Sequence, residues 1–114
     1  MKETIGIRLT ELASEYVDFY FAEAQTEDYP YAVYTSSVTP VFVKDGVHHY
    51  EASVVVTVYA KELEKVNAIA GHISESVSSY MNNGQYASRQ LSDNTDCTDE
   101  VWSREMSFTI KQYR

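Results

Sequence analysis

The sequence predicts an α+β fold in which an antiparallel sheet carries two helices packed on one of its faces. Along residues 47–59 apolar and polar side chains alternate, and the apolar side is formed by Tyr50, Ala52, Val54, Val56 and Val58. A period of two held over this length is typical of a half-buried antiparallel strand and of no helix. The final segment alternates in the same way, and two other segments each carry one apolar stripe at helical spacing. Elements with a single apolar face are expected to pack as two layers.

The first predicted helix covers about residues 3–15. Its apolar stripe is formed by Ile5, Leu9, Leu12 and Tyr16. A short extended segment over residues 17–21 follows, with a continued helix as the alternative. A polar loop over residues 25–30 ends in Tyr29-Pro30, where the residue before proline is pushed toward extended geometry.

A strand is predicted from Tyr31 to Ser37. Thr39-Pro40 interrupts or bulges it, because proline cannot donate a hydrogen bond to a sheet ladder. The chain resumes as a strand over residues 41–43. Lys44-Asp45-Gly46 then predicts a hairpin turn, since glycine tolerates positive φ and Asp-Gly is among the strongest hairpin signals.

A second helix is predicted over about residues 61–80, ended by Asn82-Asn83-Gly84. Its stripe is formed by Leu63, Val66, Ala70, Ile73 and Val77. A short strand over residues 86–93, a polar loop over residues 92–100 and a terminal strand over residues 101–112 complete the chain. The predicted order of elements is therefore α-β-β-β-α-β-β.

The bulk composition indicates one globular domain that spans residues 1–114. The apolar share is 44%, and no apolar run approaches the roughly 18 residues that span a bilayer. The N-terminus lacks the apolar core of a signal peptide, so we expect an intracellular, soluble protein without a membrane partner. The single cysteine, Cys97, excludes an internal disulfide and is consistent with a reducing compartment.

The net charge of −8 disfavours direct nucleic-acid binding. Nine basic residues are dispersed along the chain against seventeen acidic ones, and such a surface repels a phosphate backbone. An acidic surface also suits a protein that lets DNA pass without holding it. Ten tyrosines are the other compositional feature, and tyrosine suits half-buried strands and protein interfaces alike.

No group of residues predicts a catalytic or metal site. His48 and His49 are adjacent on a strand and are expected to point to opposite faces, while His72 lies on the polar side of the second helix. The acidic residues near the end of the chain lack the glycine and spacing of a calcium loop; they are Asp93, Asp96, Asp99 and Glu100. No basic residue close in sequence activates Cys97. We therefore predict no enzyme, metal or cofactor, although catalytic groups that assemble from distant positions leave a hydrolase or metal enzyme as an alternative.

The ordered series of elements resembles a known family. Pro30-Tyr31-Ala32-Val33-Tyr34, the Lys44-Asp45-Gly46 hairpin, and a long strand that ends in Val58-Tyr59-Ala60 and runs into an amphipathic helix are similar to the tail-completion or tail-terminator proteins of long-tailed phages and prophages. The alternating strand from Arg104 to Gln112 also looks like the end of that family. The similarity covers almost the whole chain, and the order and spacing of the elements carry it.

The resemblance implies a non-enzymatic, homohexameric ring on the head-proximal end of the tail tube, assembled in the host cytoplasm. Such a ring stops tube polymerisation and joins the tube to the head-tail connector. Because a cyclic ring needs two different contacting patches, we expect Lys44, Asp45 and Gly46 to form a contacting hairpin tip, with Tyr31 and Tyr34 near a subunit boundary. A neck or head-closure component and a dimeric, effector-binding α+β domain are the alternatives.

Overall fold

A computed structural model of the chain describes residues 2–113. The elements in order are α1 (Ile5–Ala13), β1 (Asp18–Phe21), β2 (Tyr31–Val43), β3 (Gly46–Ala60), α2 (Leu63–Tyr80), β4 (Tyr86–Thr98) and β5 (Val101–Tyr113). The predicted α+β class and the predicted order of elements are confirmed. Within the described residues, no helix is long and apolar enough to cross a membrane.

The five strands form one sheet in the order β1-β2-β3-β5-β4. The four long strands pair antiparallel, as predicted, whereas the short β1 pairs parallel with the start of β2 and makes the sheet mixed. Residues 22–30 carry the chain back from the end of β1 to the start of β2, which is the crossover that a parallel pair requires. This loop includes a cis peptide bond at Tyr29-Pro30.

The core lies between one face of the sheet and the two helices, and we call the opposite face the open face. The helices contribute Ile5, Leu9, Leu12, Val66, Ile69, Ile73 and Val77, and the strands contribute Val54, Val56, Val58, Met106, Phe108 and Ile110. The predicted stripes are thus confirmed apart from their ends. Tyr16 is exposed because α1 ends at Ala13, and Leu63 is exposed as the first residue of α2.

β2 is one continuous strand rather than two. The prediction of an interruption at Pro40 was wrong, because β1 pairs only with Tyr31–Tyr34 and leaves the rest of β2 at the edge of the sheet. An edge position tolerates a residue without a backbone N–H. The irregularity lies just beyond, where the register shifts between Val41 and Phe42.

β4 is longer than predicted. The predicted strand ended at residue 93 and the predicted polar loop covered residues 92–100, yet β4 pairs with β5 as far as Thr98, and only Asp99 and Glu100 form the turn. Both turn residues have positive φ, which matches the twist of a tight hairpin. All residues from 91 to 100 are exposed, so no alternation of apolar and polar side chains announces this strand.

The molecule is elongated, with extents of 52 × 24 × 22 Å. The β2–β3 turn and the β4–β5 turn lie at opposite ends of the sheet. β5 is described as far as Tyr113, which pairs with His49, so residues 42–48 project beyond it as a two-stranded tip. We call residues 42–48 the arm tip.

Candidate assembly surfaces

The arm tip contains the three predicted contact residues. Lys44 and Asp45 form the turn, and Gly46 begins β3 with φ of +124°, a conformation that favours glycine. Beside them, Phe42 is 67% exposed and Val43 is also exposed, although both are large apolar side chains. Neither Phe42 nor Val43 was predicted from the sequence as a contact residue. The adjacent Val41-Phe42-Val43 run next to a turn was the signal available, since three successive apolar residues cannot all face one core.

Small hydroxyl side chains dominate the middle of the open face. Successive rows of paired residues across it are Thr35, Val55, Ser107 and Ser92, and then Ser37, Ser53, Thr109 and Arg89. The Ser92 and Ser107 hydroxyl groups share a hydrogen bond. Because these hydroxyl groups can form hydrogen bonds with water, the middle of the open face is compatible with exposure to solvent.

One end of the open face holds a shallow pocket of about 360 Å³. Its lining consists of Ala22, Ala24, Tyr31, Val33, Thr35, Val55, Thr57 and Tyr59. The loop after β1 forms its wall, while β2 and β3 form its floor. We call it the open-face pocket.

Aromatic contacts order the rim of the open-face pocket. The ring of Tyr31 lies 5.3 Å from that of Tyr29 and 5.1 Å from that of Tyr59, measured between centroids. Burial raises the pKa of the Tyr31 hydroxyl above its usual value, and the neighbouring Tyr29 and Tyr59 add to the effect. The pocket is thus lined by aliphatic, aromatic and hydroxyl groups.

Tyr31 and Tyr34, which are both predicted to lie near a subunit boundary, occupy opposite faces of the sheet. Tyr34 is only 8% exposed and packs beneath α1, where its hydroxyl lies 3.4 Å from that of Thr10. A side chain at Gly6 would place its Cβ 3.2 Å from the same hydroxyl, so glycine permits this close approach. Phe19 stacks on the Tyr34 ring at 4.8 Å. Tyr34 thus supports the interior, and Tyr31 faces outward.

The two adjacent histidines meet, contrary to the prediction. His48 is the extra residue of a bulge in β3, since Val41 pairs with His49 and Phe42 with Val47. A bulge turns one additional side chain toward the same side, and the two Nδ1 atoms lie 2.8 Å apart. His48 is exposed, whereas the His49 side chain is largely covered. Its Nε2 lies 2.9 Å from Oε1 of Glu51.

His49→Ala is expected to raise the pKa of Glu51 back toward its usual value. The hydrogen bond from His49 is the main reason that this pKa is lowered, ahead of the charge of Lys111, whose Nζ lies 3.7 Å away. A lowered carboxyl pKa favours folding above the usual pKa, and the contribution is lost as pH falls through the lowered value. Carboxyl ¹³C NMR titration measures the shift. Lys111→Met is the matched control, and an equal or larger change in that variant would contradict the assignment.

The acidic side chains near the chain's end do not all lie on one face of the sheet. Asp93 and Asp96 alternate along β4 and so point to opposite faces of the sheet. Asp93 accepts two hydrogen bonds from the guanidinium of Arg104, at 2.8 and 2.6 Å, which lowers its pKa. In the part of the chain that the structure describes, no three histidine, cysteine, aspartate or glutamate side chains come together in a metal-binding group. Cys97 is exposed on β4.

Comparison with solved structures identifies a similar fold. No protein-family model matches the chain, and no curated protein sequence matches it. Among solved structures, 28 chains match. One of them is a chain from the virion of a native gene transfer agent (GTA) particle, with a TM-score of 0.63 and 12% sequence identity. The match covers 93% of this chain and 84% of that chain. At this identity the likeness establishes a shared fold.

Proposed function

We propose that this chain is a non-enzymatic structural protein of a phage or phage-like particle. In this proposal it forms a homo-oligomeric ring, a hexamer by family resemblance, which terminates the tail tube and joins it to the head connector. The observation that carries the proposal is the fold shared with a chain of the GTA virion over 93% of the present sequence. The resemblance of the order of elements to tail-terminator proteins supports a position at the end of the tail tube.

The surfaces of the molecule support self-assembly into a ring. A closed ring uses heterologous contacts, in which one patch of a subunit meets a different patch of its neighbour. The arm tip and the open-face pocket are two such patches, since one projects and the other is concave. The arm tip and the floor of the pocket lie at opposite ends of the same two paired strands, β2 and β3.

The charge of the molecule supports a role beside DNA without binding to it. The net charge is −8, and the open face displays mainly hydroxyl groups through its middle. If this face lines a channel, it offers a passing phosphate backbone few cations to hold it. The open-face pocket also lacks carboxylate, amine and imidazole side chains in its lining, which makes an effector-binding domain the less favoured alternative.

Deletion of the gene is expected to leave particles whose tails have uncontrolled length or whose heads and tails are unjoined. The physical reason is that an uncapped tube end keeps adding subunits and offers no surface to the connector. Negative-stain electron microscopy of lysates measures tail length and joining. Complementation with the intact gene is the control.

The pattern of defects separates the alternatives. Tails of uncontrolled length support a terminator, whereas unjoined heads beside tails of normal length support a neck or head-closure component. Particles that are normal in both respects would refute a structural role.

A further inference from the structure

We infer that the arm tip of one copy inserts Phe42 into the open-face pocket of a neighbouring copy. The inference deepens the proposed self-assembly and rests on it. It assigns both partners of a subunit contact, the projecting one to residues 42–48 and the receiving one to the pocket floored by Val33 and Thr57.

The arm tip cannot fill the pocket of its own subunit. Val33 and Phe42 lie on the same continuous strand, nine residues apart, which corresponds to about 30 Å at the rise of a β-strand. A paired strand does not fold back over that distance. Phe42 and Val43 therefore stay exposed in a single chain, and an exposed apolar cluster of this kind is typical of a contact surface.

The size and chemistry of the two surfaces match. A cavity of about 360 Å³ is at the small end of the range that holds small ligands, and it suits one aromatic ring with a neighbouring aliphatic group. Val33, Val55 and Ala24 provide apolar contacts. Tyr31 and Tyr59 provide ring faces and edges against which a phenyl group packs.

Charge favours this pairing over other contacts between two copies. The molecule carries −8, so the acidic patches of one copy repel those of another. The arm tip is an exception, because Lys44 and Asp45 balance each other. The loop over residues 22–30 borders the pocket through Ala22 and Ala24, and outside the lining it carries Glu23, Glu27 and Asp28 without a lysine or arginine. A tip seated in the pocket therefore brings Lys44 toward an acidic loop beside the pocket.

Site-directed cross-linking tests the contact directly. On a Cys97→Ser background, Phe42→Cys is placed in one tagged chain and Val33→Cys in another, and the mixture is treated with a short bis-maleimide. A mixed cross-linked dimer is expected from this pair. Ala87→Cys is the matched control, because Ala87 pairs with Lys111 at the end of the open face away from the pocket and should not link to Phe42→Cys.

Weakened association is the second measurement. Phe42→Ser is expected to raise the concentration at which half of the purified chains associate by roughly tenfold or more, because it removes an aromatic side chain from the contact. Ile7→Ser should leave that concentration within about twofold, since Ile7 is 57% exposed on α1, away from both surfaces. Sedimentation across a concentration series measures both.

The outcomes separate this inference from the proposed function. A ring that survives Phe42→Ser, or a Phe42→Cys chain that links to a different protein in purified particles, would overturn the insertion while leaving the ring role intact. Wild-type protein that stays monomeric across the concentration series, together with a Phe42→Cys and Val33→Cys mixture that yields no mixed cross-link, would also overturn it. The structural role itself is tested separately, by the tail and head defects of the gene deletion.

Discussion

Phe108→Ala is expected to lower the free energy of unfolding by about 3–5 kcal/mol, which is the range for truncating a core aromatic residue. Phe108 is 2% exposed and lies on β5, with Val54 of β3 and Gln90 of β4 as its cross-strand neighbours. Removal of the ring leaves a cavity under α2, because the close-packed strands and helix cannot move enough to fill the space. Urea denaturation followed by circular dichroism measures the loss.

Phe42→Ala is the matched control, because it makes the same substitution at a residue that is 67% exposed. At dilute concentration it should change the free energy of unfolding by no more than about 0.5 kcal/mol. Equal losses in the two variants would mean that the helix-covered face is not the core. The comparison thus tests the two-layer architecture with a single chemical change at two sites.

The core was predictable because its signals are local. The alternation along β3 and the stripe of α2 each specify a buried face within one segment, and both faces meet in the structure. A spacing of apolar residues of two along a strand, or of 3.6 along a helix, can be recognised without knowing which element packs against it. The two-layer arrangement follows from matching those faces.

The strand pairings that the sequence missed depend on distant residues. β4 from Ser92 onward carries polar side chains on both faces, so only its hydrogen bonds to β5 make it a strand. The parallel pairing of β1 with β2 also leaves no local mark. His48 shows the same limit at the scale of one residue, since a bulge between paired strands decides which way its ring points.

One of the two candidate assembly surfaces also has a local sequence signal, and the other does not. The Lys44-Asp45-Gly46 turn has a local signature, and the structure places it at the arm tip. The open-face pocket has none, because its lining comes from the loop after β1 together with β2 and β3. Tyr31 and Tyr34 were both predicted as interface residues because the chain is rich in tyrosine. Tyr31 lies in the pocket lining, whereas Tyr34 is buried. Residues three apart on a strand face opposite sides of the sheet, so the two side chains cannot share a surface.

We expect substitutions of Gln112 to have a large effect on stability, because its side chain joins the N-terminal segment to the sheet through two hydrogen bonds. It is 4% exposed on β5. Its Oε1 accepts a hydrogen bond from the Thr4 backbone N–H at 2.7 Å, and its Nε2 donates one to the Lys2 carbonyl at 2.8 Å. The side-chain amide thereby satisfies two backbone groups at the entry to α1, a position where helix donors lack partners within the helix.

Gln112→Leu is expected to lower the free energy of unfolding by about 2–4 kcal/mol, because leucine keeps the volume but leaves both backbone groups unpaired. Gln112→Glu retains an acceptor for Thr4 but turns a carboxylate oxygen toward the Lys2 carbonyl. Burial and that carbonyl both disfavour the charged form, so the pKa of the new carboxyl should rise above its value in the unfolded chain.

The sign of the pH dependence distinguishes the two variants. A carboxyl whose folded pKa is raised stabilises the protein below its unfolded pKa, and the contribution is lost as pH rises through the folded value. Once protonated, the introduced carboxyl can again donate a hydrogen bond to the Lys2 carbonyl. The deficit of Gln112→Glu relative to wild type should therefore narrow from about pH 8 to about pH 5, while that of Gln112→Leu stays constant. Parallel deficits across that interval would show that the donor to Lys2 is not what holds the N-terminal segment, and that packing around residue 112 is.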